Sequence, residues 1–193
     1  MKRSTIILLA VLGVLVVYGI SLFNRVKTAG VAVDEQWAMV QSAYQARADK
    51  SKNLVEIIKG SAEFENTTLR EVVEARAKAT GITLSGDDLT PEKLAAFEQA
   101  QSQFTGALSR LMATIEQYPN LQTTGAFREF QAQYEGMENR IKTERDRFSS
   151  AVAAYNRLIV TFPGNLFAAL FGFKEKTGFT AAPGSENAPD IKF

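Results

Sequence analysis

GAFREFQAQYEGMENRIKTERDRFSSAVAAYNRLIVTF, residues 125–162, places Phe127, Phe130, Tyr134, Met137, Ile141, Phe148, Val152, Tyr155, Ile159 and Phe162 at steps of three, four and one doubled turn. That period sets large apolar side chains along one helical face and charged residues on the others. About 38 residues uninterrupted by proline predict a single helix of roughly 57 Å. Such a stripe is buried only against neighbours, so other long helices are expected alongside it.

Upstream, Leu94, Phe97, Phe104, Leu108, Leu111, Ile115 and Tyr118 repeat the pattern until Pro119. Thr90-Pro91-Glu92 opens that helix with a capping side chain and a proline at the first helical position. Val33, Trp37, Val40, Tyr44, Leu54 and Ile58 mark the face of an earlier helix, whose stripe thins at Arg47 and Ser51 inside RADKSKN and resumes at NLVEII. Gly60 and AEFEN end or bend it. Thr68, with Glu71 three residues later, reads as a capping box opening the shorter helix LREVVEARAKA, which stops at Thr80-Gly81 before the loop ITLSGDDL. Long helices with short connections pack antiparallel along their seams. The expected fold is all-α, an elongated up-down antiparallel helical bundle.

The start of the chain adds a different element. IILLAVLGVLVVYGISLF, residues 6–23, carries no charge; as a helix its ~18 residues reach ~27 Å, close to the thickness of a bilayer's hydrocarbon core. It is predicted to be an uncleaved transmembrane anchor, with Ile6 first and Phe23 last in the lipid. The competing reading is a cleaved secretory signal with Lys2 and Arg3 as its charged start; the apolar run is long for that, and Thr28 and Gly30 make a poor cleavage site. Lys2 and Arg3 stand against Arg25 and Lys27. The slight excess at the start orients a single-pass protein of the bacterial inner membrane with its main domain on the non-cytoplasmic side. The divisions expected are a charged start over 1–5, the anchor over 6–23, the helical domain over 24–179 and an extended or disordered tail over 180–193, where two prolines and little apolar surface occur.

FPGNLFAALFGF, residues 162–173, crowds four phenylalanines and two leucines behind a Pro-Gly stop. Its apolar part covers ~14 Å as a helix, half a bilayer, so it is not a second span. Two placements stay open for Phe167, Leu170, Phe171 and Phe173. At the membrane-proximal pole they dip into the lipid interface; packed on the bundle they plug its core. The sharp fold-back that Pro163-Gly164 permits favours the packed placement.

Composition narrows the chemistry. At 193 residues and 46% hydrophobic, the chain can build one domain with a real core. With 22 basic and 21 acidic residues the net charge of +1 gives no field to draw nucleic acid, which is not an expected partner. The chain has no histidine and no cysteine. Ser-His-Asp and Cys-His catalysis, Cys/His zinc sites and His- or Cys-ligated haem therefore have no side chains to use. No catalytic residue, cofactor or metal ligand is assigned. An oxygen-only cation site among Glu63, Glu65, Glu71 and Glu74 and catalysis by paired carboxylates stay open, but such glutamates are ordinarily a solvated helix face. GITLSG lacks the lysine and the strand of a phosphate-binding loop. Arg47, Asp49, Lys50, Lys52 and Asn53 form the densest polar patch on a helix, suited to inter-helix ion pairs or to a partner site. Arg47, near the seam, is expected to pair with Glu138 or Glu144.

Taken in order, Trp37, Tyr44, Arg47-Ala48-Asp49, NLVEIIKG (53–60), Glu65, Leu69, Ala75-Arg76, Tyr118-Pro119-Asn120-Leu121, Phe127, Glu138, Arg145, Tyr155-Asn156, Pro163 and Gly172-Phe173 resemble the LemA family of bacterial membrane-anchored helical proteins. The resemblance covers nearly everything after the anchor. It implies a membrane-tethered antiparallel bundle without an established reaction or agreed catalytic residues, and related domains occur among proteins of the magnetosome membrane. Where the family commonly reads Asp-Leu-Ile-Pro-Asn-Leu-Val, this chain has Asp49-Lys50-Ser51-Lys52-Asn53-Leu54-Val55, so no proline kink is expected there. The function expected is that of a non-enzymatic scaffold or assembly protein of the cell envelope, acting on copies of itself or on other membrane proteins. The alternative is a membrane-bound sensor whose bundle responds to a ligand or partner.

Overall fold

The computed structural model of the 193-residue chain describes residues 3–60, 66–86 and 89–179. The expected disordered tail over 180–193, and Glu63 and Glu65, lie outside the described residues. All regular structure among the described residues is helical: α1 (Arg3–Lys59), α2 (Asn66–Gly81), α3 (Pro91–Ile115), α4 (Pro119–Gln122), α5 (Gly125–Val160) and α6 (Gly164–Phe171).

α1 is one unbroken helix of 57 residues. Its first part exposes apolar side chains on every face, among them Ile6, Leu8, Val14 and Val17. From Leu22 onward one face is buried, through Val26, Val33, Trp37, Val40, Tyr44, Leu54 and Ile58. Arg47 and Ser51, where the apolar stripe thins, lie on this same face and are fully buried. The seam is therefore continued by polar groups, and helical structure runs without interruption through Lys50, Ser51, Lys52 and Asn53.

Local signals set the other boundaries, with two corrections. Thr90 caps α3, its hydroxyl accepting from the Lys93 amide at 3.3 Å. Thr124 does the same for α5 through the Phe127 amide. Thr68 is not a cap: α2 begins at Asn66, which puts Thr68 inside the first turn, and Glu71 instead accepts from Arg110 of α3. Nor does α3 reach Pro119. It stops at Ile115, and Pro119 serves as the first residue of the one-turn α4, where its missing N–H costs nothing.

α1 and α5 run antiparallel for most of the rod. Tyr155 faces Gly30, Phe148 faces Trp37 and Glu138 meets Arg47. In the half away from the anchor, α2 and α3 join this pair and the helices enclose a core of Leu54, Ile58, Leu69, Val72, Phe104, Leu108, Leu111, Ile115 and Phe127. In the half nearer the anchor a second core takes in Val26, Val33, Trp37, Phe148, Val152, Tyr155 and Ile159. Leu84, Leu89 and Phe97 close it above, and α6 packs on it from below through Ala168 and Phe167. The segment 173–179, which has no regular structure, lays Phe173 and Phe179 along its side.

Candidate functional site

The midpoint of the rod holds a polar node built on Arg47. Its stem follows the apolar seam of α1, so its guanidinium enters the bundle only 1% exposed. There Nη1 donates to Thr105 Oγ1 at 2.6 Å and to Glu138 Oε1 at 2.9 Å, while Nη2 donates to Gln101 Oε1 at 2.8 Å. The planar group lies over the rings of Tyr44 and Phe104, 5.2 and 5.1 Å from their centroids, an arrangement that suits the weakly hydrated guanidinium. Gln101 Nε2 donates onward to the Ala79 carbonyl. One side chain of α1 thus gathers α2, α3 and α5.

A second arginine stands beside it. Arg145 of α5 pairs with Glu98 of α3 and lies 4.3 Å from the centroid of Phe179. Burial raises the Tyr44 hydroxyl above its ordinary pKa, and the two arginines partly offset that rise. Burial and the adjacent Glu138 carboxylate raise Tyr134 in the same way. Between α3 and α5 a shallow cleft reaches this cluster, lined by Arg47, Glu98, Ser102, Thr105, Glu138 and Arg145. Each arginine already faces a carboxylate, so the cleft presents a neutralised surface.

The polar patch read from the sequence is not one surface. Arg47 points inward, whereas Asp49, Lys50, Lys52 and Asn53 are exposed. Asp49 accepts from Gln45 at 2.8 Å and stands 3.8 Å from Arg76; Lys52 stands 3.7 Å from Glu56 of its own helix. Of the two carboxylates considered for Arg47, Glu138 is the partner, and Glu144 receives Arg147 from the next turn.

The apolar segment lies at the anchor end of the rod. Phe167 packs on Tyr18, with centroids 5.5 Å apart, and on the backbone of Gly19, while Phe171 and Phe173 meet Phe23 at 5.2 and 5.6 Å. Lys27 Nζ sits over both Phe23 and Phe173. Phe167 and Phe173 are partly buried against the anchor-side core, but Leu170 remains 75% exposed.

Sequence marks Tyr155-Asn156 only as packing and polar anchor positions of the bundle; the fold shows what they hold. Asn156 forms a two-way clamp on the segment 173–179: its Nδ2 donates to the Lys176 carbonyl at 2.8 Å and its Oδ1 accepts from the Lys176 amide at 2.9 Å. Tyr155 donates its hydroxyl to the Lys174 carbonyl, and Lys176 Nζ reaches Asp34 on α1. The signal was the pair Tyr155-Asn156 on the seam, with an asparagine amide shaped to mimic a peptide partner.

An all-helical rod whose first helix is also its apolar tether, with arginines paired to carboxylates inside it, defines a class of tethered helical bundles. The chain belongs to the LemA family, whose profile matches residues 36–193. It is similar to the magnetosome protein MamQ of Magnetospirillum gryphiswaldense, 31% identical over 150 residues that make up 77% of this chain and 52% of that protein. Magnetosome protein MamQ 2 of Paramagnetospirillum magneticum is likewise 31% identical over 149 residues, with the same shares. Protein LemA of Metamycoplasma hominis is 24% identical over 131 residues, 68% of this chain and 56% of that protein. The chain spans about half the length of these relatives.

Proposed function

We propose that the protein is a non-enzymatic, membrane-anchored scaffold of the bacterial cell envelope that presents its rod to copies of itself or to other membrane proteins. The observation that carries this reading is the continuity of α1. A single helix from Arg3 to Lys59 is both the apolar tether and a core member of the bundle, so the domain is mechanically coupled to the bilayer rather than hung on a flexible linker. The similarity to magnetosome proteins is in keeping with a membrane-associated helical protein. In this reading residues 6–23 cross the inner membrane and the rod stands on its non-cytoplasmic side.

Crosslinking of the full chain in native membranes, followed by mass spectrometry, tests the proposal. A scaffold gives covalent links to itself or to defined envelope proteins, with the linked residues on exposed faces of α2, α3 or α5. Recovery of monomer alone overturns it. Protease access in spheroplasts reports the side: cleavage of the rod from outside agrees with the orientation, and protection reverses it.

The cleft beside Arg47 and Arg145 favours a second reading, a sensor whose bundle shifts when a ligand competes for those arginines. A small-molecule screen by thermal shift separates the two readings. A compound that raises the melting temperature of the native chain, but not of an Arg145→Gln variant, supports the sensor.

A further inference from the structure

We infer that α6, together with Phe162, is a membrane foot: a short apolar helix, packed on the bundle by one face, that inserts by the other into the leaflet from which α1 emerges. The inference rests on the reading of residues 6–23 as a membrane span and adds a second, independent lipid contact. Depth is fixed by geometry. About 30 Å of hydrocarbon requires nearly the whole apolar run of α1, so Tyr18 and Gly19, four to five residues before its end at Phe23, lie ~6–8 Å inside the boundary. Phe167 packs on these two residues, its ring 3.0 Å from where a Gly19 β-carbon would stand. A helix held at that level is already at the depth where amphipathic helices rest, about 5–10 Å below the headgroups.

Exposure points the same way. The outward side of the segment shows Phe162 at 80%, Leu166 at 62%, Leu170 at 75% and Phe171 at 43% exposed. These residues continue the exposed apolar surface of α1, whose Leu15, Val16 and Ile20 are similarly bare. Arg25 and Lys27 lie just beyond on α1, with Lys27 over Phe23 and Phe173, the height at which basic groups meet lipid phosphates. The acyl-chain boundary is thus the occupant of the outer face of α6. Two attachments side by side restrict the tilt of the rod about its anchor, which a lone span does not.

The chain has no cysteine, so single-cysteine variants of the full chain suit spin labelling in vesicles of phosphatidylcholine and phosphatidylglycerol. Leu170→Cys reports the foot, Leu12→Cys the anchor and Gln103→Cys the water-facing side of α3. The foot predicts that oxygen outcompetes a water-soluble nickel chelate at Leu170 severalfold more than at Gln103, approaching the Leu12 ratio. If the Leu170 label behaves as Gln103 does while Leu12 reads as lipid, the foot is overturned and the anchor stands. Shielding of Leu170 from both reagents means that protein covers it, which also overturns the foot. An aqueous Leu12 removes the anchor and the foot together.

Discussion

Arg47 of α1 reaches Glu138 of α5 at 2.9 Å across 91 positions of chain, the guanidinium 1% and the carboxylate 32% exposed. The asymmetry sets the outcome of mutation. Arg47→Ala leaves Gln101 and Thr105 without their donor inside the bundle, while Glu138 can turn toward water. The expected loss is about 3 kcal/mol, the lower end for breaking a buried pair. Glu138→Gln keeps an acceptor for Arg47 and is expected to cost about 1 kcal/mol. Urea unfolding of the detergent-solubilised chain followed by circular dichroism reads both; equal effects would show that the node is not organised around the arginine.

Trp37 offers a second check on the anchor-side core. Its Nε1 donates to the Leu84 carbonyl at 2.9 Å, but Gln41 donates to the same oxygen, so removing the indole donor leaves the carbonyl satisfied. Trp37→Phe is expected to cost about 1–2 kcal/mol, from one hydrogen bond and some packing. Trp37→Ala also abandons the rings of Phe97, Phe148 and Phe179 and is expected to cost about 4 kcal/mol. As the one tryptophan of the chain, Trp37 should show blue-shifted emission that moves red on unfolding.

The seam of α3 was legible because period alone reveals it: Leu94, Phe97, Phe104, Leu108, Leu111 and Ile115 are all buried as the spacing requires. The α5 stripe holds from Phe127 to Ile159, but Phe162, its last expected member, lies beyond the end of α5 at Val160 and is 80% exposed. Arg47 and Ser51 were harder. Hydrophobic pattern counts them as gaps, whereas the arginine stem is apolar and its head finds partners on helices about 50 to 90 positions away. Sequence could offer Glu138 and Glu144 alike, since both lie near the α5 stripe; only the rotation of α5 against α1 selects one. The segment 173–179 has no period at all, because it is held by Asn156 and Tyr155 rather than by a helical face.

Alkaline pH should find the bundle's titratable weakness. Tyr44, Tyr134 and Tyr155 all have pKa values raised by burial above the ordinary 10.0. Above pH 10 the unfolded chain releases these protons first, so it binds fewer than the native state and stability falls as pH rises. Below the unfolded value the contribution is fully present. With no histidine in the chain, no histidine transition falls between pH 5 and 8. The melting temperature is expected to drop above about pH 10, less steeply in Tyr44→Phe; an unchanged slope in that variant would exclude Tyr44 as a contributor.

Asn156→Ala should release the strap. Two hydrogen bonds to the Lys176 backbone disappear, at a cost of about 2 kcal/mol if their contributions add. The readout is local: amide exchange at Lys176 accelerates, and trypsin cuts after Lys174 and Lys176 while the rest of the bundle still resists. Asn156→Asp keeps the acceptor and loses the donor, so intermediate protection is expected. Uniform loss of protection across α3 and α5 would instead mean that the strap is inseparable from the global fold.

Gly164 controls whether α6 can reach the anchor. A β-carbon at this position would overlap the backbone carbonyl oxygen of Leu158, and backbone on both sides leaves little room to yield. Gly164→Ala must therefore shift the start of α6 away from α5, carrying Phe167 off Tyr18 and Gly19. A Gly19→Cys, Phe167→Cys pair with a short bifunctional thiol reagent in membranes measures the approach: crosslinking should be efficient with Gly164 present and fall severalfold in the alanine background. Because the distal core of Leu108, Leu111 and Ile115 lies at the other end of the rod, helicity and the melting of that half should hardly change. Undiminished crosslinking in Gly164→Ala would show that α6 is positioned by its own contacts with Tyr18 and Phe23 and not by the turn.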